Sequence, residues 1–579
     1  MERPRFDTYY TNEQLLAALQ ALARAHPGLV RLEALGRTHE GREIPIAIVT
    51  NAQTGPDTDK PGFWVDANLH ATELAGSMAA LHLLETVLAR YRTEPRARRL
   101  ADEQVLYVVP RLNLDGVAAA LGRPPRLLRS GTRPYPWPER QPGLHPEDVD
   151  GDGRILQMRI EDPAGDWKVS ARDPRLLVKR APDEEGGTYY RLFAEGRLER
   201  YDGDLIKAAP PLAGLDFNRN FPAGWRPEGQ QKGAGEHPGS EPEVQAVLEW
   251  FRTHPNIFGA LTYHTFSRVL LRPFGYRADE EMEHEDLRVF EAIGRRATEI
   301  TGYPCLSTFH HFKYHPKEVI TGCFDDWLYE HKGIFAFTVE LWDLPSAAGL
   351  EHKNAEKKFI EWFRHHPPED DERIVRWVDA HAPGALVPWR PFEHPQLGPV
   401  ELGGWDRLYS FTNPPPALLL AEIAPQTEFA LAFAAMAPRL RWRAVQARAL
   451  GEESWQVRAV VENVGFLSSS GSVQARKQKA CREVRLRLEL PAGAELLGGR
   501  PEVEVGHLEG RSNKLDASPY WASSDTDNRA RAEWVVRAPP GTVLALLALS
   551  ERAGTLRRKV RLGEPPAAAG TGAPAPPGG

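Results

Sequence analysis

Four short apolar runs recur through the first ~385 residues: FWVDAN at 63–68, QVLYVVP at 104–110, IFGALTY at 257–263 and IFAFTVEL at 334–341. Runs of this length, rich in β-branched and aromatic side chains, read as strands buried on both faces. Between and after them lie stretches that are apolar at helical spacing, at 74–91, 241–252, 286–301 and 355–365. Strands alternating with helices predict an α/β layered domain around a largely parallel or mixed sheet. Open sheets of this kind bind ligands outside the carboxyl ends of their strands. The polar residues that follow each apolar run are therefore the first candidates for a site.

At 579 residues the chain is too long for one ordinary core. Residues 1–385 form the predicted α/β domain, with an insertion at about 123–211, where Pro, Gly, Asp and Arg replace the helical and strand periods. Residues 386–414, which begin LVPWRPFEHPQLGPVELGGW, are Pro- and Gly-rich and read as a connector. From 415 to 563, short alternating runs such as WQVRAVVENVG, EVRLRLELP, RAEWVVRAP and TVLALLALS predict an all-β sandwich, with one helix around 427–436. The last segment, 564–579, is low-complexity and reads as a disordered tail. A net charge of −7, with no basic stripe, excludes a nucleic-acid partner. No apolar run approaches the ~18 residues that span a bilayer, and the N-terminus lacks a signal-peptide core, so the default expectation is no membrane and a cytoplasmic location. Three cysteines cannot build a disulfide framework; Cys305 and Cys323 are read as free thiols rather than a pair.

His70 and Glu73 stand in NLHATEL, directly after the 63–68 run and at the start of a helix. A spacing of three lets an imidazole and a carboxylate turn toward one ion, a mixed donor set that suits Zn²⁺. The pattern H-x-x-E alone is weak, since it also occurs at His82–Glu85, His315–Glu318 and His366–Glu369; only His70 sits at a strand's carboxyl end. His264 follows the 257–263 run and supplies the third protein ligand that a catalytic zinc site requires. Glu340 lies near the end of the most apolar run. A carboxylate there is costly to bury unless it is paired or placed at a cleft, where it can act as a general base. Asn218 and Arg219, in LDFNRNFP, offer an amide and a planar guanidinium fork that can hold a carboxylate.

The ordered series HATE, RLNLDG, LDFNRNF, TYH and FTVEL resembles that of the zinc carboxypeptidases, the carboxypeptidase A and B superfamily, over roughly residues 5–345 outside the insertion. The resemblance implies that family's mixed-sheet, phosphorylase/hydrolase-like α/β/α fold and one Zn²⁺ held by His70, Glu73 and His264. It also implies Glu340 as general base and Asn218 with Arg219 as the clamp for a substrate's C-terminal carboxylate. Peptide or protein C-termini are then the expected partners. An arginine that polarises the scissile carbonyl is implied among Arg126, Arg129 and Arg133, and the Arg-x-x-Arg spacing favours Arg129.

Three departures from the family pattern stand out. Thr72 replaces an arginine before the liganding glutamate. The family's mobile tyrosine falls at Glu318; either Tyr314 takes the role through a local shift or the role is absent. Asp325 occupies the position that lines the specificity pocket, where it either prefers C-terminal Lys or Arg or makes only a local hydrogen bond. In the insertion, Asp148, Asp150 and Asp152 form DVDGDG, the first half of an EF-hand loop, but the twelfth position is Arg159. It is either a structural calcium loop or a solvated acidic turn. Besides a metallocarboxypeptidase, two rival readings stand: a zinc-bearing module that binds peptide C-termini without cleaving them, and an amidase on N-acyl amino acids or cell-wall peptides.

Overall fold

The computed structural model describes residues 3–313, 315, 317–350, 362–363, 365–512 and 525–564. The expected helix at 355–365 falls largely outside these residues.

The four apolar runs form the adjacent parallel strands at the centre of an eight-stranded mixed sheet, in the order Val105–Val109, Gly62–Ala67, Ile257–Thr265 and Phe335–Leu341. Antiparallel strands Glu43–Val49 and Val30–Arg37 extend one side. Val269–Arg272 pairs antiparallel with Phe335–Leu341 on the other side and is followed by Cys305–Ser307. Parallel strands need helices on both faces, which is why these runs show no polar alternation. One face is covered by Asn12–Ala25, Leu74–Arg90, His284–Thr301 and Leu419–Ala434, the other by Pro242–Thr253 and Phe324–Lys332. Gly76 lets the Leu74–Arg90 helix approach closely, since a Cβ there would lie 3.0 Å from the Tyr263 carbonyl oxygen and 3.2 Å from Ala67 Cβ.

The helix expected around 427–436 is longer and begins at Leu419. By length and composition the segment Leu408–Ala434 could cross a membrane, but 61% of its apolar window is buried inside the protein. Phe433 packs edge-on against Phe63 and Phe337 of the central strands, at 5.0 and 5.6 Å between ring centroids. The helix is therefore part of the α/β core rather than of the region that follows it.

The connector expected at 386–414 is corrected by the structure. Leu386–His394 and Gly398–Trp405 form a hairpin, and its second strand pairs with Gln157–Glu161 of the insertion. Together with Tyr190–Ala194, Trp167–Val169 and Leu177–Lys179 they make one six-stranded sheet. Pro388 and Pro391 mimic a linker in sequence, yet they lie on the edge strand, where a missing N–H breaks no ladder.

Beyond residue 439, two four-stranded antiparallel sheets enclose a core that includes Trp455, Val457, Val461, Leu486, Trp534 and Leu546. This second unit is bolted to the first. The Asp286 carboxylate accepts from the backbone N–H groups of Val473 and Gln474, both at 2.9 Å, and buried Arg552 donates to the carbonyls of Gly333 and Lys332. All three cysteines are free thiols.

Candidate metal centre and peptide cleft

The carboxyl ends of the central strands gather the candidate residues at one edge of the sheet. Asn68, with φ at +55°, turns the chain out of the Gly62–Ala67 strand, and its side-chain amide donates to the His70 carbonyl at 3.1 Å. The RLNLDG segment braces this turn from beneath. Buried Arg111 donates to Ser77 Oγ at 3.1 Å, and the Asn113 amide reaches the Leu69 carbonyl at 3.3 Å while its oxygen caps the next helix at Gly116 N. Ser130 Oγ donates to the Leu69 carbonyl at 3.1 Å and accepts from Phe217 N at 3.0 Å, tying the turn to the LDFNRNF loop.

His70, Glu73 and His264 are brought together with their ligand atoms within 4.8 Å of one another, all three side chains buried. His70 Nδ1 lies 2.9 Å from Glu73 Oε1 and 2.9 Å from His264 Nδ1, and His264 Nδ1 lies 3.0 Å from Glu73 Oε2. Burial opposes the Glu73 charge, but the two imidazoles outweigh it and hold the carboxyl below its usual range; burial pushes the His264 imidazole down. Two buried imidazole nitrogens and a carboxylate oxygen, all facing one point, fit a catalytic zinc site with three protein ligands. The other copies of H-x-x-E do other things. His82 pairs with Thr427 at 2.7 Å, His366 with Asp371 at 3.0 Å, and His315 is exposed.

Asp216 is not singled out by the sequence, although it stands two residues before Asn218. Its carboxylate meets His70 Nε2 at 3.0 Å, the carboxylate–imidazole contact that fixes a metal ligand's tautomer and orientation. Burial opposes its charge, and Arg129, Arg219 and His70 hold its carboxyl well below the usual range.

Glu340 sits opposite His264 in the parallel register of neighbouring strands and is partly exposed. Burial, followed by the charge of Glu73, pushes its carboxyl well above the usual range. Of the three candidate arginines, Arg129 reaches the centre, donating to Asp216 Oδ2 at 3.0 Å and Glu73 Oε1 at 3.2 Å with its side chain 43% exposed. Arg133 is tied to Glu241 and Glu236, and Arg126 is exposed. Arg219 is buried and donates to the Asn218 carbonyl at 2.6 Å; the Asn218 side-chain oxygen accepts from Phe324 N at 2.9 Å.

A family model described as zinc carboxypeptidase matches residues 15–145 and 176–359, more than half of the chain. The chain belongs to the zinc carboxypeptidase family. A second model, for a domain of unknown function, matches residues 439–561. Among curated relatives, carboxypeptidase A6 of Mus musculus is 23% identical over 351 residues, covering 58% of this chain and 61% of that protein. Carboxypeptidase A2 of Rattus norvegicus is 21% identical over 350 residues, covering 58% and 63%. The chain thus spans about three fifths of the length of the curated relatives it matches. Similar solved structures include thrombin activatable fibrinolysis inhibitor, with a TM-score of 0.39, 17% identity, and 65% and 74% of the two chains covered. A metallo-carboxypeptidase from Burkholderia cenocepacia has a TM-score of 0.33 and 15% identity, covering 57% and 60%.

Of the departures of this chain from the family pattern, Asp325 is given a physical form by the structure. Tyr314 lies outside the described residues. Asp325 is buried in the first turn of the Phe324–Lys332 helix, where Oδ1 accepts from Asp326 N at 3.0 Å and Oδ2 from Thr338 Oγ1 at 3.2 Å. Burial pushes its carboxyl up to about 6. The local hydrogen bond weighed from sequence is therefore present.

In the insertion, Asp148 and Asp150 converge with Glu195, and Asp148 accepts from Gly151 N at 2.7 Å and Gly153 N at 2.9 Å. Asp150 and Asp152 face Arg390, which brings positive charge from the protein itself. Arg159, at the twelfth position, stacks between Tyr190 and Trp389 and pairs with Glu401 at 2.8 Å. Calcium gains no support from this arrangement.

Proposed function

We propose that the chain is a metallocarboxypeptidase that removes the C-terminal residue of peptides. The observation that carries the reading is Glu340 in register with His264 of the buried His70–Glu73–His264 set, with Arg129 bonded to Glu73 and Arg219 paired with Asp216 beside His70. Zinc held by these three side chains would supply a Lewis acid that polarises a carbonyl and lowers the pKa of water. Arg219 and Asn218 bind the substrate's terminal carboxylate, which limits cleavage to the last peptide bond. Arg129 donates to the scissile carbonyl oxygen as negative charge develops there. Glu340 takes a proton from the attacking water and passes it to the leaving amine. Asp216 holds the His70 ring in place and keeps Arg129 aimed at the same point.

The Asp325 carboxylate, within electrostatic reach of both Arg219 and Glu340, supports a preference for C-terminal Lys or Arg. The test is a set of hippuryl dipeptides ending in Lys, Phe, Leu and Glu, with zinc content measured alongside. Release of the terminal amino acid, abolished by a chelator and restored by zinc, is the expected result. Binding without release by the zinc-loaded protein overturns the enzymatic reading in favour of a binding module.

A further inference from the structure

The helix that starts beside the candidate metal ligands takes its side-chain cap from outside its own segment. Leu74–Arg90 begins at Glu73, which stands at the N-cap position with φ −90°, ψ 61° and makes no side-chain cap bond. A helix start leaves several backbone N–H groups without partners, and the N-cap side chain ordinarily accepts one of them. Glu73 cannot do so, because its carboxylate is committed elsewhere. Oε1 meets His70 Nδ1 at 2.9 Å and Arg129 Nη1 at 3.2 Å, while Oε2 meets His264 Nδ1 at 3.0 Å and Thr265 N at 3.2 Å.

The missing cap comes from a residue far downstream, 338 positions beyond Ala75. Asn413 is fully buried; its side-chain oxygen accepts from Ala75 N at 2.9 Å, and its amide nitrogen donates to the Thr72 carbonyl at 2.8 Å and the Leu408 carbonyl at 2.9 Å. One side chain thus holds the backbone on both sides of Glu73, and its third bond anchors it to its own segment. Asn413 also lies outside the residues that the family model matches.

We propose that Asn413 is a positioning residue for the metal centre: it caps the Leu74–Arg90 helix in place of Glu73 and so frees the Glu73 carboxylate to ligate. This rests on the zinc reading of the site. Without Asn413, Ala75 N and the Thr72 carbonyl lose their partner next to Glu73, and that carboxylate can serve the helix or the metal but is no longer held for the metal alone.

The test measures zinc affinity of the full chain by competition with a chromophoric chelator, together with the melting temperature of the metal-free protein. Asn413→Ala is expected to weaken zinc binding about tenfold or more, the scale seen when outer-shell partners of metal ligands are removed. Asn413→Asp keeps an oxygen for Ala75 N and loses the donor bonds to Thr72 and Leu408, and its affinity is expected between wild type and Asn413→Ala. Where Asn413→Ala fails to fold, Asn413→Asp against wild type decides, with a several-fold loss expected. Val457→Ala, a core change in the distant sandwich, lowers the melting temperature but leaves zinc affinity unchanged. Wild-type affinity in the Asn413 variants, with only the melting temperature lowered, overturns the proposal and reduces Asn413 to a structural cap. Zinc binding that survives His70→Ala overturns the metal-centre reading itself, a failure read independently of the Asn413 variants.

Discussion

Asp325→Asn tests whether the buried carboxylate reads the substrate's side chain. The substitution keeps the shape: the amide oxygen can accept from Asp326 N, and Thr338 Oγ1, now a donor to Asp325, can instead accept from the new amide. The charge is lost, and one acceptor oxygen becomes a donor. A charge-assisted hydrogen bond contributes about 1.5–3 kcal/mol, or about 10- to 150-fold in rate. The ratio of kcat/KM for C-terminal Lys over C-terminal Leu should fall by that factor in the variant. Wild type carries a second signature. With its carboxyl pushed up to about 6, Asp325 loses its charge as pH falls. It is mostly ionised at pH 7.5 and mostly protonated at pH 5, so the Lys/Leu ratio should fall across that range. Taking the ratio cancels Glu340 and the metal ligands, which act on both substrates alike, and kcat/KM reports groups of the free enzyme. In Asp325→Asn the ratio should be independent of pH. A Lys/Leu ratio equal in wild type and variant, and flat with pH, refutes the pocket role and leaves Asp325 with its local bonds alone.

Glu340→Gln should lower kcat by about 10²- to 10⁴-fold with zinc content unchanged; dipeptide turnover and metal analysis on one preparation check this, and full activity would end the general-base assignment. Phe433→Ala removes a fully buried ring packed on Phe63 and Phe337 and should cost about 3–5 kcal/mol in urea unfolding of the α/β unit. A loss below about 1 kcal/mol would show that the 419–434 helix is dispensable to the core. Asp66, buried beneath the sheet between Trp64 Nε1 and Thr262 Oγ1, is pushed by burial up to about 7. Between the ordinary carboxylate range and about 7 the folded state keeps a proton that the unfolded chain has released, so this group's contribution declines as pH rises through that window. Asp66→Asn should therefore gain stability relative to wild type from pH 4.5 to 7.5, by at most about 4 kcal/mol; a difference constant with pH contradicts the assignment.

How much of the site is legible in one dimension depends on where each signal is stored. His70, Glu73, His264 and Glu340 are legible because a buried parallel strand is a local apolar run, and its carboxyl end marks the ligand side of the sheet. Arg129 is favoured among three arginines only by its Arg-x-x-Arg spacing under the family resemblance, since the physical choice depends on contact with Asp216, 87 residues away. Asp216 itself reads as an ordinary loop aspartate until the fold brings His70 against it. The hairpin at 386–405 escapes because proline on an edge strand and proline in a linker look the same in sequence. The 419–434 helix is visible only in its second half because Pro425 interrupts it and its faces are too evenly apolar to show a 3.6-residue period. That even apolarity has a cause: the helix is wedged between the Leu74–Arg90 and His284–Thr301 helices and the sheet, as Phe429, Phe433 and Ile423 in the main core show. The same segment delivers Asn413 to the turn that carries His70 and Glu73. A chain cut near residue 400, as the connector reading would suggest, would lose the wedge and the cap together. It should therefore lose zinc affinity and cooperative unfolding of the α/β unit in the same step, whereas a cut after residue 438 should leave the cap and the wedge in place.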